Sequence, residues 1–114
     1  MQQDQVRCSH ILQKHTLSRN PFDSYRNKKV TRSKDEAMEN ILKIREQCNN
    51  FENFCKLAKD FSECGSAANG GDLGFFSRGQ MQKEFEEAAF KLNVGDLSEP
   101  VVSASGVHII LRTA

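Results

Sequence analysis

The sequence predicts an α+β domain in which helices cover a small, mostly antiparallel sheet. Two strand-like segments, residues 6–14 and 107–112, lie near opposite ends of the chain, and each contains a histidine. Between them, three stretches repeat apolar residues at the spacing of a helix face. The predicted order is strand, two or three helices, strand, helix and hairpin. A chain of 114 residues is long enough for one domain with its own core.

The first strand is predicted at residues 6–14 because apolar and polar residues alternate there. The side chains on its apolar side are those of Val6, Cys8, His10 and Leu12. Residues 15–32 follow no sustained period, and turn-forming residues lie among their charges. They are predicted to form one long loop, of a length at which loops are usually functional or mobile.

The first helix is predicted to begin at a capping box, Ser33-Lys34-Asp35-Glu36, in which the serine hydroxyl accepts from first-turn amides and the glutamate reaches back. Asn49-Asn50 is predicted to end it. A second amphipathic helix follows. The apolar stripe of the first helix consists of Ala37, Ile41, Ile44 and Cys48, and that of the second of Phe51, Phe54, Leu57, Ala58 and Phe61.

The second half of the chain begins with a turn region at residues 62–71, rich in Gly, Ser, Ala and Asn, with room for a single helical turn. Residues 73–76 are predicted to be a short strand. A third sizeable helix, ending before residues 93–96, is indicated by Phe85, Ala88, Ala89 and Leu92. Residues 100–103 and 107–112 are predicted to close the domain as a hairpin.

The four cysteines show no C-x-x-C spacing, which argues against a zinc knuckle or a thioredoxin-like motif. With no signal peptide evident, reduced thiols in a cytoplasmic or nuclear protein are expected. Cys48 and Cys55 lie in helical patterns and are expected to act as small core hydrophobes. No apolar run approaches the ~20 residues of a membrane helix.

The positive charge is concentrated in one segment, although the net charge is only +1. Residues 14–34 contain seven cations and a single anion, Asp23. This distribution is typical either of an anion-binding surface or of a solvated loop, and composition does not separate the two.

His10 and His108 each lie within a predicted strand. A buried imidazole left without a hydrogen-bond partner costs about 1–3 kcal/mol. The sequence therefore predicts that the two rings pair with each other across the sheet.

Five separate stretches resemble the parvulin peptidyl-prolyl cis–trans isomerases, and specifically their Pin-type branch: VRCSHIL at 6–12, FSEC at 61–64, GGDLG at 70–74, FSRGQMQK at 76–83 and SGVHII at 105–110. They occur in order at the family's spacing and cover residues 6–113. The resemblance implies a parvulin-like fold, a four-stranded sheet surrounded by about four helices. It divides the chain into a polar tail, residues 1–5, and an isomerase domain, residues 6–114. Because the chain has no Trp, no WW domain is expected within it.

The resemblance also implies a set of site residues. The catalytic centre falls on His10, Cys64, Ser105 and His108, with Ser103 as a supporting hydroxyl. The proline pocket falls on Leu73, Met81 and Phe85, with Gln82 at its mouth. Taken alone, Leu73 and Phe85 are ordinary core residues, and Met81 an ordinary gap-filler.

The phosphate-selecting cations of the branch fall on Lys14 and Arg19. The neighbouring position, commonly a second arginine in the family, is Asn20 here. This departure predicts weaker phosphate selection, which Arg26, Lys28 and Lys29 could partly offset.

The activity implied is cis–trans isomerisation of Ser/Thr-Pro bonds, preferentially after a phosphorylated residue, by non-covalent stabilisation of the twisted amide. No metal or other cofactor is expected, since no bond is broken. The expected partners are proline-directed phosphoproteins, not nucleic acid or membranes, and a monomer is expected. His10 and His108 are expected to serve as scaffold, and Cys64 as a polar group facing the carbonyl.

Several alternatives stay open at this point. The chain could be a phospho-Ser/Thr-Pro binding module or a chaperone-like protein with incidental turnover. Cys64 could be a nucleophile, or with His108 the centre of a small hydrolase. A zinc site formed by His10, His108 and Cys64 is the fourth alternative.

Overall fold

In the computed structural model, which describes residues 5–114, the first and last strands are neighbours at the centre of one sheet. The sheet has four antiparallel strands in the order β4-β1-β6-β5. The elements described are β1 (Gln5–Gln13), β2 (Phe22–Asp23), β3 (Lys28–Lys29), α1 (Lys34–Gln47), α2 (Phe51–Phe61), a 3-10 helix (Gly65–Asn69), β4 (Asp72–Ser77), α3 (Lys83–Lys91), β5 (Val101–Ser103) and β6 (Gly106–Arg112). The predicted α+β class is confirmed. Of the predicted tail, residues 1–4 lie outside the described part, and Gln5 begins β1.

The register between β1 and β6 places the two histidines on the same face of the sheet. His10 lies opposite Ile110, and Leu12 lies opposite His108. Directly opposite residues share a face, as do residues two apart in one strand. The two imidazoles are therefore diagonal neighbours. This pairing of distant chain segments creates the centre of the site.

Each face of the sheet covers a separate apolar cluster. The cluster beneath α1 and α2 includes Ile11, Ile41 and Phe54, and the cluster beneath α3 includes Cys8 and Phe85. Strand β1 contributes to both, and every residue from 9 to 13 is buried. The alternation in residues 6–14 predicted a strand with one exposed side, and this is wrong for the second half of β1, because helices cover both of its faces.

The predicted capping box is confirmed. The Glu36 amide donates to Ser33 Oγ at 3.1 Å, and the Ser33 amide donates to Glu36 Oε1 at 2.8 Å. These bonds lower the pKa of Glu36, and such a cap contributes about 1 kcal/mol to helix stability. The helix ends at Gln47, slightly before the predicted Asn49-Asn50.

The loop after β1 is more ordered than predicted, because a two-stranded hairpin, β2–β3, lies within it. Asp23 Oδ1 accepts the amides of Tyr25 and Arg26, both at 3.1 Å, and its other oxygen pairs with the Arg26 guanidinium at 3.0 Å. Asn27 completes the turn with a φ of 57°, a conformation that asparagine tolerates. Two-residue strands are too short to produce a periodic signal.

The helices within residues 5–114 are too short or too polar for any of them to span a membrane. All four cysteines are free thiols. Cys48 and Cys55 are only half-buried, so the expectation that both are core residues was too strong.

Candidate active site

The centre of the site is the pair of buried imidazoles. The Nδ1 atoms of His10 and His108 lie 3.0 Å apart, and the rings stack with centroids 5.2 Å apart. Phe85 from α3 meets both rings edge-on, with centroid distances of 5.4 Å to His10 and 5.3 Å to His108. The pairing predicted from the sequence is present.

Both imidazoles are neutral at pH 7. Burial and the neighbouring His108 lower the pKa of His10 to about 3, and burial lowers the pKa of His108 to about 4. Two neutral rings can share one N–H between their Nδ1 atoms, since one ring donates and the other accepts. Protonation of both rings would set two N–H donors against each other, so at least one ring must be neutral for this bond to form. The low pKa values keep both rings neutral at pH 7, which is consistent with the Nδ1–Nδ1 contact.

A chain of hydroxyl groups leads from the imidazoles to the protein surface. His108 Nε2 lies 2.7 Å from Ser103 Oγ, which also accepts the Ser105 amide at 3.2 Å. The Ser105 hydroxyl in turn accepts from Gln82 Nε2 at 2.9 Å and from Arg19 Nη2 at 3.4 Å. Residues from the turn between β5 and β6, the start of α3 and the loop after β1 thus meet at Ser105.

The segment that carries Cys64 is fastened along β1. The Leu12 amide donates to Ser62 Oγ at 3.0 Å, and the Leu12 carbonyl accepts the Glu63 amide at 2.8 Å. At the far end of the segment the His10 amide donates to the Gly71 carbonyl at 2.9 Å. A Cβ at Gly71 would collide with the His10 carbonyl oxygen, so only glycine permits this approach.

Cys64 itself is half-buried and caps the 3-10 helix. Within residues 5–114, neither imidazole donates to or accepts from its thiol, and His10 Nε2 is buried without a partner. The imidazole–thiol hydrogen bond that the nucleophile alternative requires is not formed. In the same part of the chain, no three His, Cys, Asp or Glu side chains are grouped so as to hold a metal ion.

The predicted pocket residues belong to one apolar surface. Leu73 and Met81 are half-buried and pack against the cluster that contains Phe85. Phe85 is 4% exposed and therefore also a core residue. Gln82 precedes α3 and directs its amide toward Ser105. Leu73, Met81 and Phe85 lie together and Gln82 follows Met81 in the chain, whereas the role of these four residues in holding a proline ring stays a prediction.

Arg19 contacts Ser105, whereas the Lys14 ammonium donates to the Phe22 carbonyl at 2.6 Å. The Lys14 amide donates to Glu63 Oε1 at 2.7 Å, and its carbonyl accepts from Arg32 Nη1 at 2.9 Å. Arg32 also pairs with Glu63 at 2.5 Å. The Arg19 amide donates to the Ala104 carbonyl at 2.7 Å, which places its side chain over the turn that carries Ser105.

A tight turn between the two cations was not predicted. The His15 amide donates to Ser18 Oγ at 3.0 Å, and the Leu17 amide donates to His15 Nδ1 at 3.1 Å. Both His15 and Ser18 are buried. Sequence reasoning missed them, as it missed Glu63 and Arg32, because a polar residue that supports a loop from within has no periodic signature.

The suggestion that Arg26, Lys28 and Lys29 offset the absence of a basic residue at position 20 is not supported. The Arg26 guanidinium donates to the carbonyls of Ser62 at 2.7 Å and Lys59 at 2.8 Å, besides its pair with Asp23. Lys28 and Lys29 lie on β3, beside α1. These cations do not contact Ser105 or either imidazole.

Comparisons with known proteins agree with this arrangement. The model of the PPIC-type peptidyl-prolyl isomerase domain, called rotamase, matches residues 10–114. The chain belongs to the rotamase family. It is 51% identical to the peptidyl-prolyl cis-trans isomerase pin1 of Rhizopus delemar over 97% of this chain and 74% of the relative. It is 48% identical to Pin1 of Arabidopsis thaliana over 97% of each.

Solved structures give the same result. The rotamase fold of the isomerase ESS1 from Candida albicans superposes with a TM-score of 0.91 at 45% identity, covering 97% of this chain and 63% of that one. The solution structure of TbPIN1 gives 0.87 at 40% identity and covers 99% of this chain. The resemblance to Pin-type parvulins and the parvulin-like fold are confirmed, and the chain is a peptidyl-prolyl cis–trans isomerase.

The reaction of a rotamase explains why this site contains so little reactive chemistry. Rotation about an X–Pro amide has a barrier of ~18–20 kcal/mol but breaks no covalent bond. Catalysis requires only that the site bind the twisted amide better than either planar form. An apolar surface beside fixed hydrogen-bond donors, with neutral imidazoles behind them, suits that requirement. The hydrolase and simple binding-module alternatives are set aside on the family assignment.

The neutral histidines predict that the rotamase loses stability in mild acid. The unfolded chain takes up protons near pH 6.5, whereas the folded pKa values of His10 and His108 are about 3 and about 4. Unfolded molecules therefore bind more protons in this window, and the free energy of unfolding falls as pH falls from about 6.5 to about 4. Each ring contributes up to ~1.4 kcal/mol per pH unit.

Urea unfolding at pH 7, 6, 5 and 4.5 measures this dependence. In the double variant His10→Leu/His108→Leu the slope between pH 6.5 and 4.5 should be clearly smaller. His15, whose pKa burial also lowers, is present in both proteins and cancels in the comparison. Parallel curves for the two proteins would show that the rings are not buried in neutral form.

Proposed function

We propose that this isomerase acts preferentially on Ser/Thr-Pro bonds in which the Ser or Thr is phosphorylated. The observation that carries the proposal is the contact of Arg19 Nη2 with Ser105 Oγ at 3.4 Å. An exposed guanidinium thus lies beside the hydroxyl that Gln82 also contacts. A phosphate held by Arg19 would therefore lie next to Ser105, one of the residues predicted to form the catalytic centre.

The apolar and charged parts of the site are arranged to hold two neighbouring residues of a peptide. Leu73, Met81 and Phe85 form the apolar side, which fits a proline ring. Arg19 and Lys14 supply positive charge on the loop that docks beside Ser105. With the ring and the preceding residue fixed, rotation about the C–N bond between them is the motion left free. The proposed mechanism is non-covalent, and Cys64 acts as a polar neighbour of the carbonyl.

The loop that carries these cations is preorganised, which favours a binding role for them. The backbone of Lys14 is held from both sides, by Glu63 and by Arg32. Restraint of this kind reduces the entropy lost when a phosphate is gripped. A merely solvated loop would need no buried carboxylate beneath it, and Glu63 is 7% exposed. Proline-directed phosphoproteins are accordingly the clients that we propose.

Exchange NMR on matched peptides tests the proposal. A phospho-Ser-Pro peptide, its Glu-Pro version and its unphosphorylated Ser-Pro and Ala-Pro versions are compared at equal enzyme concentration. We expect exchange to be at least about tenfold faster for the phosphopeptide than for Ala-Pro, since a charge-assisted hydrogen bond contributes about 1.5–3 kcal/mol. Equal rates would contradict the phosphate preference and leave the isomerase assignment intact.

Removing one of the two cations proposed to bind the phosphate should affect turnover of phosphorylated substrates alone. Arg19→Ala and Lys14→Ala are each expected to lower kcat/KM for the phosphopeptide by roughly 10- to 100-fold and to spare the Ala-Pro peptide. Added salt should act in the same direction, because an exposed site is screened within ~8 Å at physiological ionic strength. Lys56→Ala, an exposed lysine on α2, is the matched control.

The reverse change adds a cation where this chain has none. Asn20 is exposed, and its carbonyl accepts the Phe22 amide at 2.8 Å, so a longer side chain can extend into solvent without breaking that bond. Asn20→Arg is expected to increase the preference for the phosphopeptide, since a guanidinium can bind two phosphate oxygens. Turnover that is insensitive to salt, with no gain from Asn20→Arg, would instead identify residues 14–34 as a solvated loop.

A further inference from the structure

A positively charged cavity lies between the β2–β3 hairpin, helix α1 and the end of α2. Its volume is about 500 Å³, within the range of sites that bind small ligands or short peptide segments. Lysines from two elements line it: Lys28 and Lys29 from β3, and Lys43 from α1. The side chains of Asn40 and Gln47 line its α1 side, and Phe61 lies at its α2 side. We call this cavity the lysine groove.

The charges of the lysine groove are unbalanced. Two of its carboxylates are already neutralised, Asp23 by Arg26 at 3.0 Å and Glu63 by Arg32 at 2.5 Å. Both carboxylates are buried. By contrast, none of the three lysines forms an ion pair with any residue that the structure describes. Asp60 is the remaining carboxylate in the lining, so positive charge is in excess.

The lysine groove is separate from the catalytic centre. Gln13 and Ile44, which line it, lie on the side of the sheet that packs against α1. The imidazoles of His10 and His108 lie on the other side, against Phe85 of α3. A phosphate bound by Arg19 beside Ser105 would therefore not occupy the groove.

We propose that the lysine groove binds an acidic stretch of a peptide. Lysine residues on two sides of a cavity can meet successive carboxylates. Asn40 Nδ2 donates to Gln13 Oε1 at 3.1 Å and Gln47 Nε2 donates to the Lys43 carbonyl at 3.3 Å, so the amide oxygens of Asn40 and Gln47 are the atoms that can accept from a peptide backbone. A peptide fits better than a nucleic acid, because the lining has mixed sign and the chain's net charge is only +1. This binding does not depend on phosphate selection at Arg19.

An NMR titration of the whole chain with capped hexaglutamate tests the proposal, since this probe contains no Ser, Thr or Pro. We expect saturable shifts of the Lys28, Lys43 and Gln47 amides, and none at Ser105. In Lys28→Glu/Lys43→Glu, affinity for hexaglutamate should fall at least tenfold. The matched control is Lys56→Glu/Lys91→Glu, which changes the net charge equally at exposed lysines outside the groove, and it should stay within twofold of the original chain.

Two results would overturn the proposal. One is an equal loss of affinity in both double variants, which would mean attraction by net charge alone. The other is a set of shifts centred on Arg19 and Ser105, which would place the anion at the catalytic site. Turnover of a short phospho-Ser-Pro peptide should be unchanged in Lys28→Glu/Lys43→Glu. Failure of the original chain to prefer that peptide would contradict the proposed function and not the groove.

Discussion

Replacing Cys64 with alanine is expected to lower turnover of a Ser-Pro peptide by roughly 10²-fold, the magnitude seen when one electrostatic partner of a reacting carbonyl is removed. Cys64→Asp should retain a measurable part of the activity, because a polar or charged atom again faces the carbonyl. The half-buried position of Cys64 and the unformed imidazole–thiol bond both favour this electrostatic role over a nucleophilic one. Exchange NMR measures turnover, and circular dichroism establishes that each variant is folded.

The other thiols provide the control. Burial raises the pKa of Cys8 to about 11, and it also raises the pKa of Cys48 and Cys55. Cys48 packs against the apolar cluster beneath α1 and α2, on the other side of the sheet from the imidazoles. Because of this position, Cys48→Ala should leave turnover unchanged. An aspartate variant that folds normally yet is as inactive as Cys64→Ala would favour covalent chemistry at this position.

Replacing either catalytic-site histidine with leucine is expected to cost stability as well as activity. His10→Leu leaves the Nδ1 of His108 without its partner, at a cost of about 1–3 kcal/mol. His108→Leu should cost more, since it removes the partner of His10 Nδ1 and also one of the two partners of the Ser103 hydroxyl, which keeps only the Ser105 amide. The double variant removes both members of the buried bond, so its loss should be smaller than the sum of the two single losses.

Urea unfolding of the three variants measures this coupling directly. A coupling free energy of about 0.5–3 kcal/mol is expected for side chains in one hydrogen-bonded network. Ser103→Ala is the control: it removes the bonds of that hydroxyl to His108 Nε2 and to the Ser105 amide but leaves the imidazole pair, and it should cost less than His108→Leu. Strict additivity of the two histidine substitutions would mean that the rings do not interact in solution.

The features predicted well from the sequence are those whose cause is local. The capping box at Ser33 and Glu36 and the apolar stripes of the helices depend on residues a few positions apart, so period and spacing reveal them. The pairing of His10 with His108 spans the whole chain, yet it was predictable because each ring needs a buried partner and each lies in a strand. Cys64 and Ser105 were identified only when the five motif stretches were compared with a family, and their catalytic role stays a prediction.

The features that were missed depend on contacts between distant segments. Ser62 and Glu63 were visible as part of a motif, but their bonds to Leu12 and Lys14 arise only when residues 62–71 lie along β1. In the same way, β1 was predicted to have one solvent-facing side, and the packing of helices on both faces buried it.

The sequence by itself determined the α+β class and the helix boundaries to within a few residues, because both depend on side-chain period. It also determined which two histidines pair, because a buried imidazole needs a hydrogen-bond partner. It also showed that residues 14–34 concentrate positive charge. Only the tertiary structure decided how that charge is divided. The Arg19 amide donates to the Ala104 carbonyl, and its side chain lies beside Ser105. Lys28, by contrast, lines the lysine groove together with Lys43 of α1. An aperiodic loop carries no signal of which face its side chains reach, since that depends on where the rest of the chain places its carbonyls and carboxylates.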